Sequence, residues 1–244
     1  MGITLHGWGR LFGCPSPSPF VMKADIQMQM LGLEFQRATA DLESVDKHKA
    51  PYVWDDGTLV QDSTFIRQHF EAKLGLNLDE GLGAEQRGAA RALECMREAH
   101  LCPIMASERW LIPDNFERGP KIFFMRVPEA AREGVIKSVL ADVAKSAYGS
   151  GVMRFTRSER MTLAALDIAA VASMLGNKSF VFGARPTAVD AIAFGALEAG
   201  ATRFFESELP DLVTAHPTLV TYLERMRERY FATDRWPAMG GPSI

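Results

Sequence analysis

No part of this chain leaves the backbone fewer choices than Ala50-Pro51-Tyr52-Val53-Trp54-Asp55-Asp56-Gly57-Thr58-Leu59-Val60-Gln61-Asp62-Ser63. It predicts two short strands joined by a tight turn. Pro51 has no N–H for a sheet ladder, so it belongs at a strand entrance, an edge or a bend. Asp56-Gly57 between apolar runs is a strong hairpin signal, because glycine supplies the positive φ such turns need. After the second strand, Asp62 or Ser63 can cap a helix over residues 64–73. The N-terminus of such a helix attracts anions, a carboxylate among them.

The residues before this run predict strand, helix and strand. Ile3-Thr4-Leu5-His6-Gly7-Trp8 alternates as a strand does, and a loop rich in Gly, Pro and Ser follows over residues 9–17. Ser18 then stands at a helix cap with Pro19 at the first helical position, both favoured there. The helix is expected to reach Leu31 and end at Gly32, with a second strand over residues 33–40.

This order, with Pro–apolar–apolar, Asp-Gly and then Asp-Ser, resembles the glutathione-binding half of a glutathione S-transferase. The resemblance implies an α/β, thioredoxin-like N-terminal domain over residues 1–75, followed by an all-α C-terminal domain over residues 84–244. It implies that Pro51 is cis, that the main chain of Ala50 pairs with the cysteinyl part of glutathione, and that Asp62 and Ser63 hold the γ-glutamyl end. The combination with Pro186-Thr187-Ala188-Val189-Asp190 and the closing Arg225-Met226-Arg227-Glu228-Arg229-Tyr230-Phe231 is similar to the failed-axon-connections/metaxin-like branch.

In that family a Tyr, Ser or Cys after the first strand faces the glutathione sulfur. Ser18-Pro19-Phe20-Val21 fills the slot that holds Cys-Pro-Phe/Tyr-Cys in redox-active relatives, so dithiol chemistry at that motif is excluded. A hydroxyl remains. A free thiol with a pKa of about 8.5 is only a few per cent ionised at neutral pH. A hydroxyl donor beside a helix N-terminus favours the thiolate. Ser18 is the leading catalytic candidate, with Ser16 and Cys14 two and four residues earlier as alternatives. Cys14 would suit thiol exchange. For the glycyl carboxylate the candidate cations near the hairpin are His48, Lys47 and Lys49, with Arg67 and Arg10 as further candidates.

From residue 84 the pattern turns helical, after a linker at residues 75–83. Residues 84–111 read as one long helix that Pro103 should kink or interrupt. Residues 113–124 break the pattern, and residues 128–148 form an amphipathic helix. The segment 113–148 could narrow or cover a second-substrate site. Thr156 and Glu159 form a capping box for the next helix, whose apolar residues 164–174 are expected to be buried on most sides. Thr187 and Asp190 form another, which in the transferase family supports folding. His216-Pro217 opens the last helix in a structural role.

Composition limits the partners. The 244 residues are 47% apolar with a net charge of −3, which gives no reason to expect nucleic acid or an anionic membrane. Three cysteines, irregularly spaced, suit neither a disulfide framework nor a metal site. With no long apolar run and no signal-peptide layout, membrane insertion is not expected and the cytoplasm is the default compartment.

The function implied is detoxification chemistry: activation of the glutathione thiol, as co-substrate, for conjugation to a small apolar electrophile. That electrophile would lie against Trp8, Phe12, Met105 and Trp110. The alternatives are a binding or scaffold protein that kept the fold, and a glutathione-dependent thiol oxidoreductase using Cys14. A homodimer is usual in the family.

Overall fold

The architecture follows from a small mixed sheet that buries one face under two helices and then hands the chain to a helical layer. The structure is a computed structural model and describes residues 2–237; residue 1 and residues 238–244, the outer ends of the two expected domains, lie outside the described residues. Strands β1 (Ile3–Gly7), β2 (Gln36–Thr39), β3 (Tyr52–Asp55) and β4 (Thr58–Gln61) form a sheet of order β2-β1-β3-β4, with β1 and β2 parallel and the other pairs antiparallel. Leu5 pairs with Val53, and both point to the face covered by α1 (Pro19–Met30) and α2 (Ser63–Leu74). Ala24, Met28, Ile66 and Phe70 complete that core.

The turns behave as their residues dictate. Asp56 and Gly57 both have positive φ (47° and 92°), which matches the right-handed twist of the hairpin. Strand β2 is shorter than residues 33–40, because Gly32 and Leu33 are needed to close α1. Gly32 N–H donates to the Gln29 carbonyl (3.0 Å) and Leu33 N–H to that of Met28 (3.2 Å), the two bonds of a Schellman cap.

The long helix of residues 84–111 is interrupted, although by a widened turn. Helix α3 (Ala84–Met96) runs through π-helical Arg97–Leu101 into α4 (Cys102–Trp110). Cys102 N–H reaches back five residues to the Arg97 carbonyl. The extra width lies just N-terminal to Pro103, where its ring would otherwise strike the preceding turn.

Next come α5 (Pro113–Arg118), a 3-10 turn at Pro120–Phe124, α6 (Glu129–Gly149), α7 (Arg157–Leu175), α8 (Ala188–Ala201), α9 (Leu209–Thr214) and α10 (Pro217–Phe231). Helix α6 lies on the surface against α4 with no fully buried residue, and its apolar residues are spread around it instead of forming the one apolar face expected of an amphipathic helix. The expectation that residues 164–174 are buried on most sides needs correcting: Leu166 is 63% exposed, so α7 covers the core with one face. Helix α8 is the central one instead, buried from Ala188 to Gly200.

One close approach ties α8 to the sheet layer, and a buried carboxylate anchors its start within the helical layer. A Cβ on Gly195 would lie 2.6 Å from the Pro19 carbonyl oxygen, so only glycine lets α8 approach the start of α1 this closely. At the start of α8, the buried Asp190 carboxylate accepts from Thr187 N–H (2.8 Å), Val181 N–H (2.9 Å) and the Tyr222 hydroxyl (3.2 Å). The Asp190 amide itself donates to the Thr187 carbonyl (3.0 Å), so the box closes through the aspartate side chain. Among the described residues no helix is long and apolar enough to cross a membrane.

Candidate functional site

The entrance of β3 offers main chain that the protein does not use. The Ala50–Pro51 bond is cis, as the resemblance implied. Neither the N–H nor the carbonyl of Ala50 forms a hydrogen bond among the described residues, so both are left to pair with a ligand as one step of a strand edge would. Asp62 N–H donates to the Pro51 carbonyl (3.3 Å), which brings the start of α2 to this bend. Asp62 is the helix cap: its carboxylate accepts from Thr64 N–H at 2.9 Å. Its backbone lies at φ 87°, ψ 135°, a conformation a non-glycine residue holds only where its surroundings impose it. Ser63 is buried, and its hydroxyl makes no hydrogen bond among the described residues. An unused hydroxyl at a helix N-terminus, beside a carboxylate and open main chain, suits a zwitterionic amino-acid end.

Ser18 stands at the N-terminus of α1. Lys23, in the second turn of α1, donates to Thr64 Oγ1 in the first turn of α2 (2.9 Å), which links the two helices near their starts. The same ammonium, fully buried, meets Glu94 (2.8 Å) and Glu98 (2.6 Å) of the helical layer. Burial pushes the Glu94 carboxyl up, but Lys23 and Arg91 outweigh it and hold it below its ordinary value. Ser18 Oγ accepts from Val21 N–H at 3.3 Å, which leaves its own proton free to donate outward. Ser16 is buried and accepts the Ser18 N–H at 3.2 Å; it positions Ser18 and faces inward.

Cys14 does not suit thiol exchange. It is 1% exposed, and burial pushes its thiol up to about 11, so the nucleophilic thiolate is scarce. Cys102 is buried too and pushed up to about 12, whereas Cys95 is exposed. One equivalent of a thiol reagent is therefore expected to react quickly with the native protein at mild pH, and three after unfolding. A native titre unchanged in Cys14→Ser would agree, and a second fast equivalent lost in that variant would contradict the burial argument.

Arg109 escaped the sequence reading. From α4 its buried guanidinium donates to the carbonyls of Pro17 (2.8 Å) and Ala199 (2.5 Å), pinning the residue before Ser18 to α8. Nothing local in the sequence announces a contact that spans 92 residues.

The expected apolar wall is partly core. Phe12 and Met105 are buried, so they support the site from behind. Trp8 and Trp110 are half-buried and meet through Phe123, whose ring centroid lies 5.9 Å from that of Trp8 and 6.2 Å from that of Trp110. The apolar pair Phe123-Phe124 within a Pro- and Gly-broken stretch was the available signal. Of residues 113–148, the Pro120–Phe124 turn reaches the β1–α1 loop through Phe123, while α6 packs on α4.

Four of the five candidate cations already have partners. Arg10 meets Asp234, Arg67 meets Asp79, His48 Nδ1 lies 3.0 Å from the Leu42 carbonyl, and Lys47 donates to the Gln61 carbonyl at 3.2 Å. Lys49, beside Ala50, is exposed and makes no hydrogen bond or ion pair among the described residues.

Comparison with known proteins identifies the family. The family model described as glutathione S-transferase N-terminal domain matches residues 19–115, and that described as glutathione S-transferase, C-terminal domain matches residues 164–226. The chain is 29% identical over 236 residues to the isoprene-epoxide–glutathione S-transferase of Rhodococcus sp. (strain AD45), covering 93% of this chain and 99% of that protein. It is 26% identical over 242 residues to failed axon connections of Drosophila melanogaster, covering 94% of this chain and 58% of that longer protein. A glutathione S-transferase of Methylobacterium radiotolerans JCM 2831, solved with glutathione sulfonate, superposes with a TM-score of 0.59 at 21% identity, covering 100% and 99% of the two chains.

Proposed function

Because the chain belongs to the glutathione S-transferase superfamily, we propose that it binds glutathione along Ala50, Asp62 and Ser63 and conjugates its thiol to a small apolar electrophile. The observation that carries this reading is the unused main chain of Ala50 beside the unused Ser63 hydroxyl. Open main chain recognises a peptide-like ligand, and the helix start with its carboxylate recognises the α-amino acid end. Lys49 is the cation offered to the glycyl carboxylate.

Chemistry then needs a thiolate. The thiol proton leaves to solvent, and the Ser18 hydroxyl donates to the sulfur that remains, with the N-terminus of α1 adding its partial positive charge. The electrophile lies between Trp8, Trp110 and Phe123. With an epoxide, the class that the Rhodococcus relative's name points to, a C–S bond forms as a ring C–O bond breaks. The freed alkoxide takes a proton from water.

Immobilised glutathione and a small epoxide test the reading together. Retention with conjugation is the expected result. Retention without turnover, of the epoxide or of a chlorinated nitrobenzene, would favour a glutathione-binding protein that has lost the chemistry. Failure to bind would overturn the glutathione reading.

A further inference from the structure

Gly7 and Gly9 flank Trp8, and neither has a left-handed φ, so conformational freedom is not why they are glycine. Packing is. A Cβ on Gly9 would lie 2.5 Å from the Cβ of Trp236, and one on Gly7 would lie 2.9 Å from Trp236 Cη2 and 2.7 Å from a Val21 methyl. The segment leaving α10 thus lays its indole into two hollows that only glycines provide. The ring packs against the core beneath the sheet, and its N–H donates to Asp25 Oδ2 at 2.9 Å. Asp25 is itself buried and held by Arg37 at 2.6 and 2.8 Å. Trp8, between the two glycines, meets Phe123 in the aromatic wall.

We infer that Trp236 is a positioning residue for the second-substrate side of the site. By filling the hollows at Gly7 and Gly9 it fixes the short run that carries Trp8, and so the wall against which the electrophile lies. This inference rests on the conjugation reading above. It places no demand on Ala50, Asp62 or Ser63, which approach glutathione from β3 and α2.

The test uses the whole chain with Trp236→Ala, Trp236→Phe, Gly9→Ala and the double variant Gly9→Ala/Trp236→Ala. Misplacing one wall of a pocket weakens productive binding strongly. Trp236→Ala is therefore expected to raise KM for the electrophile about tenfold, with KM for glutathione unchanged. Trp236→Phe, which still fills the hollows, restores most of that. Gly9→Ala should act like Trp236→Ala, and the double variant should be no worse than either single one, because both disrupt one contact. Amide exchange at residues 7–10 should quicken in Trp236→Ala, with or without turnover. Unchanged exchange there, or additive effects in the double variant, would overturn the inference. A parallel rise in KM for glutathione would overturn its restriction to the electrophile side. A wild-type protein that conjugates nothing counts against the preceding reading, while the exchange data still decide this one.

Discussion

Ser18→Ala is expected to lower kcat/KM for conjugation roughly 10- to 100-fold near neutral pH, with glutathione retention preserved. The hydroxyl proton has no acceptor among the described residues once Oγ has accepted Val21 N–H, so it is free to donate to a sulfur. Losing that donor raises the bound thiol toward its free value of about 8.5, and each unit is about 1.4 kcal/mol, or tenfold in thiolate below the pKa. The pH profile carries the proof. The variant's rising limb should move up by about one to two units and converge with the wild type in alkali, where both thiols are ionised. Ser18 also caps α1, and serine-to-alanine at a cap costs about 1 kcal/mol of stability, against a few tenths for glycine. Ser18→Gly therefore separates lost chemistry from lost folding. An unshifted profile in both variants would remove Ser18 from the reaction.

Asp190→Ala is expected to have the largest effect on stability. Val181 N–H, Thr187 N–H and the Thr187 and Tyr222 hydroxyls converge on this buried carboxylate; alanine leaves the first three without it, while Tyr222 keeps the Asp190 main-chain carbonyl at 3.0 Å. At about 1–3 kcal/mol for each unsatisfied group, a loss of roughly 4 kcal/mol is a large part of a domain's stability. At about 2–4 °C per kcal/mol, thermal melting should fall by roughly 10 °C, or expression should fail. Asp190→Asn keeps one side-chain oxygen and should fall in between. Burial pushes the Asp190 carboxyl up against the pull of its donors. The native state then holds that proton more tightly than the unfolded chain does. This contribution to stability is present below the ordinary carboxylate pKa and fades as pH rises through the folded value. Asparagine should remove that slope. Melting temperatures across pH for the three proteins check both statements, and an Asp190→Ala protein as stable as the wild type would contradict them.

What could be read in the sequence was local. Asp56-Gly57, Thr156 with Glu159, and Thr187 with Asp190 each carry their information within four residues, and the structure forms all three. Pro51, Asp62 and Ser63 were legible through their order along the chain, because a bend and a helix cap have residue signatures of their own. Contacts between distant segments were not. Arg109 meets Ala199 across 90 residues and Trp236 meets Asp25 across 211, and neither pairing leaves a periodic trace. Side-chain exposure was hidden for the same reason: Phe12 and Met105 read as pocket residues but are core, whereas Phe123 completes the wall. Pro103 foretold an interruption, while its form, one π-helical turn, depends on the packing of α3 and α4 against α8.

A crystal structure of the protein with glutathione bound would test the central claim most directly. The cysteinyl main chain is expected to pair with Ala50, the γ-glutamyl end to lie on Asp62 and Ser63, and the sulfur to fall within hydrogen-bond distance of Ser18 Oγ. A tripeptide bound elsewhere, or a sulfur turned away from the start of α1, would contradict it.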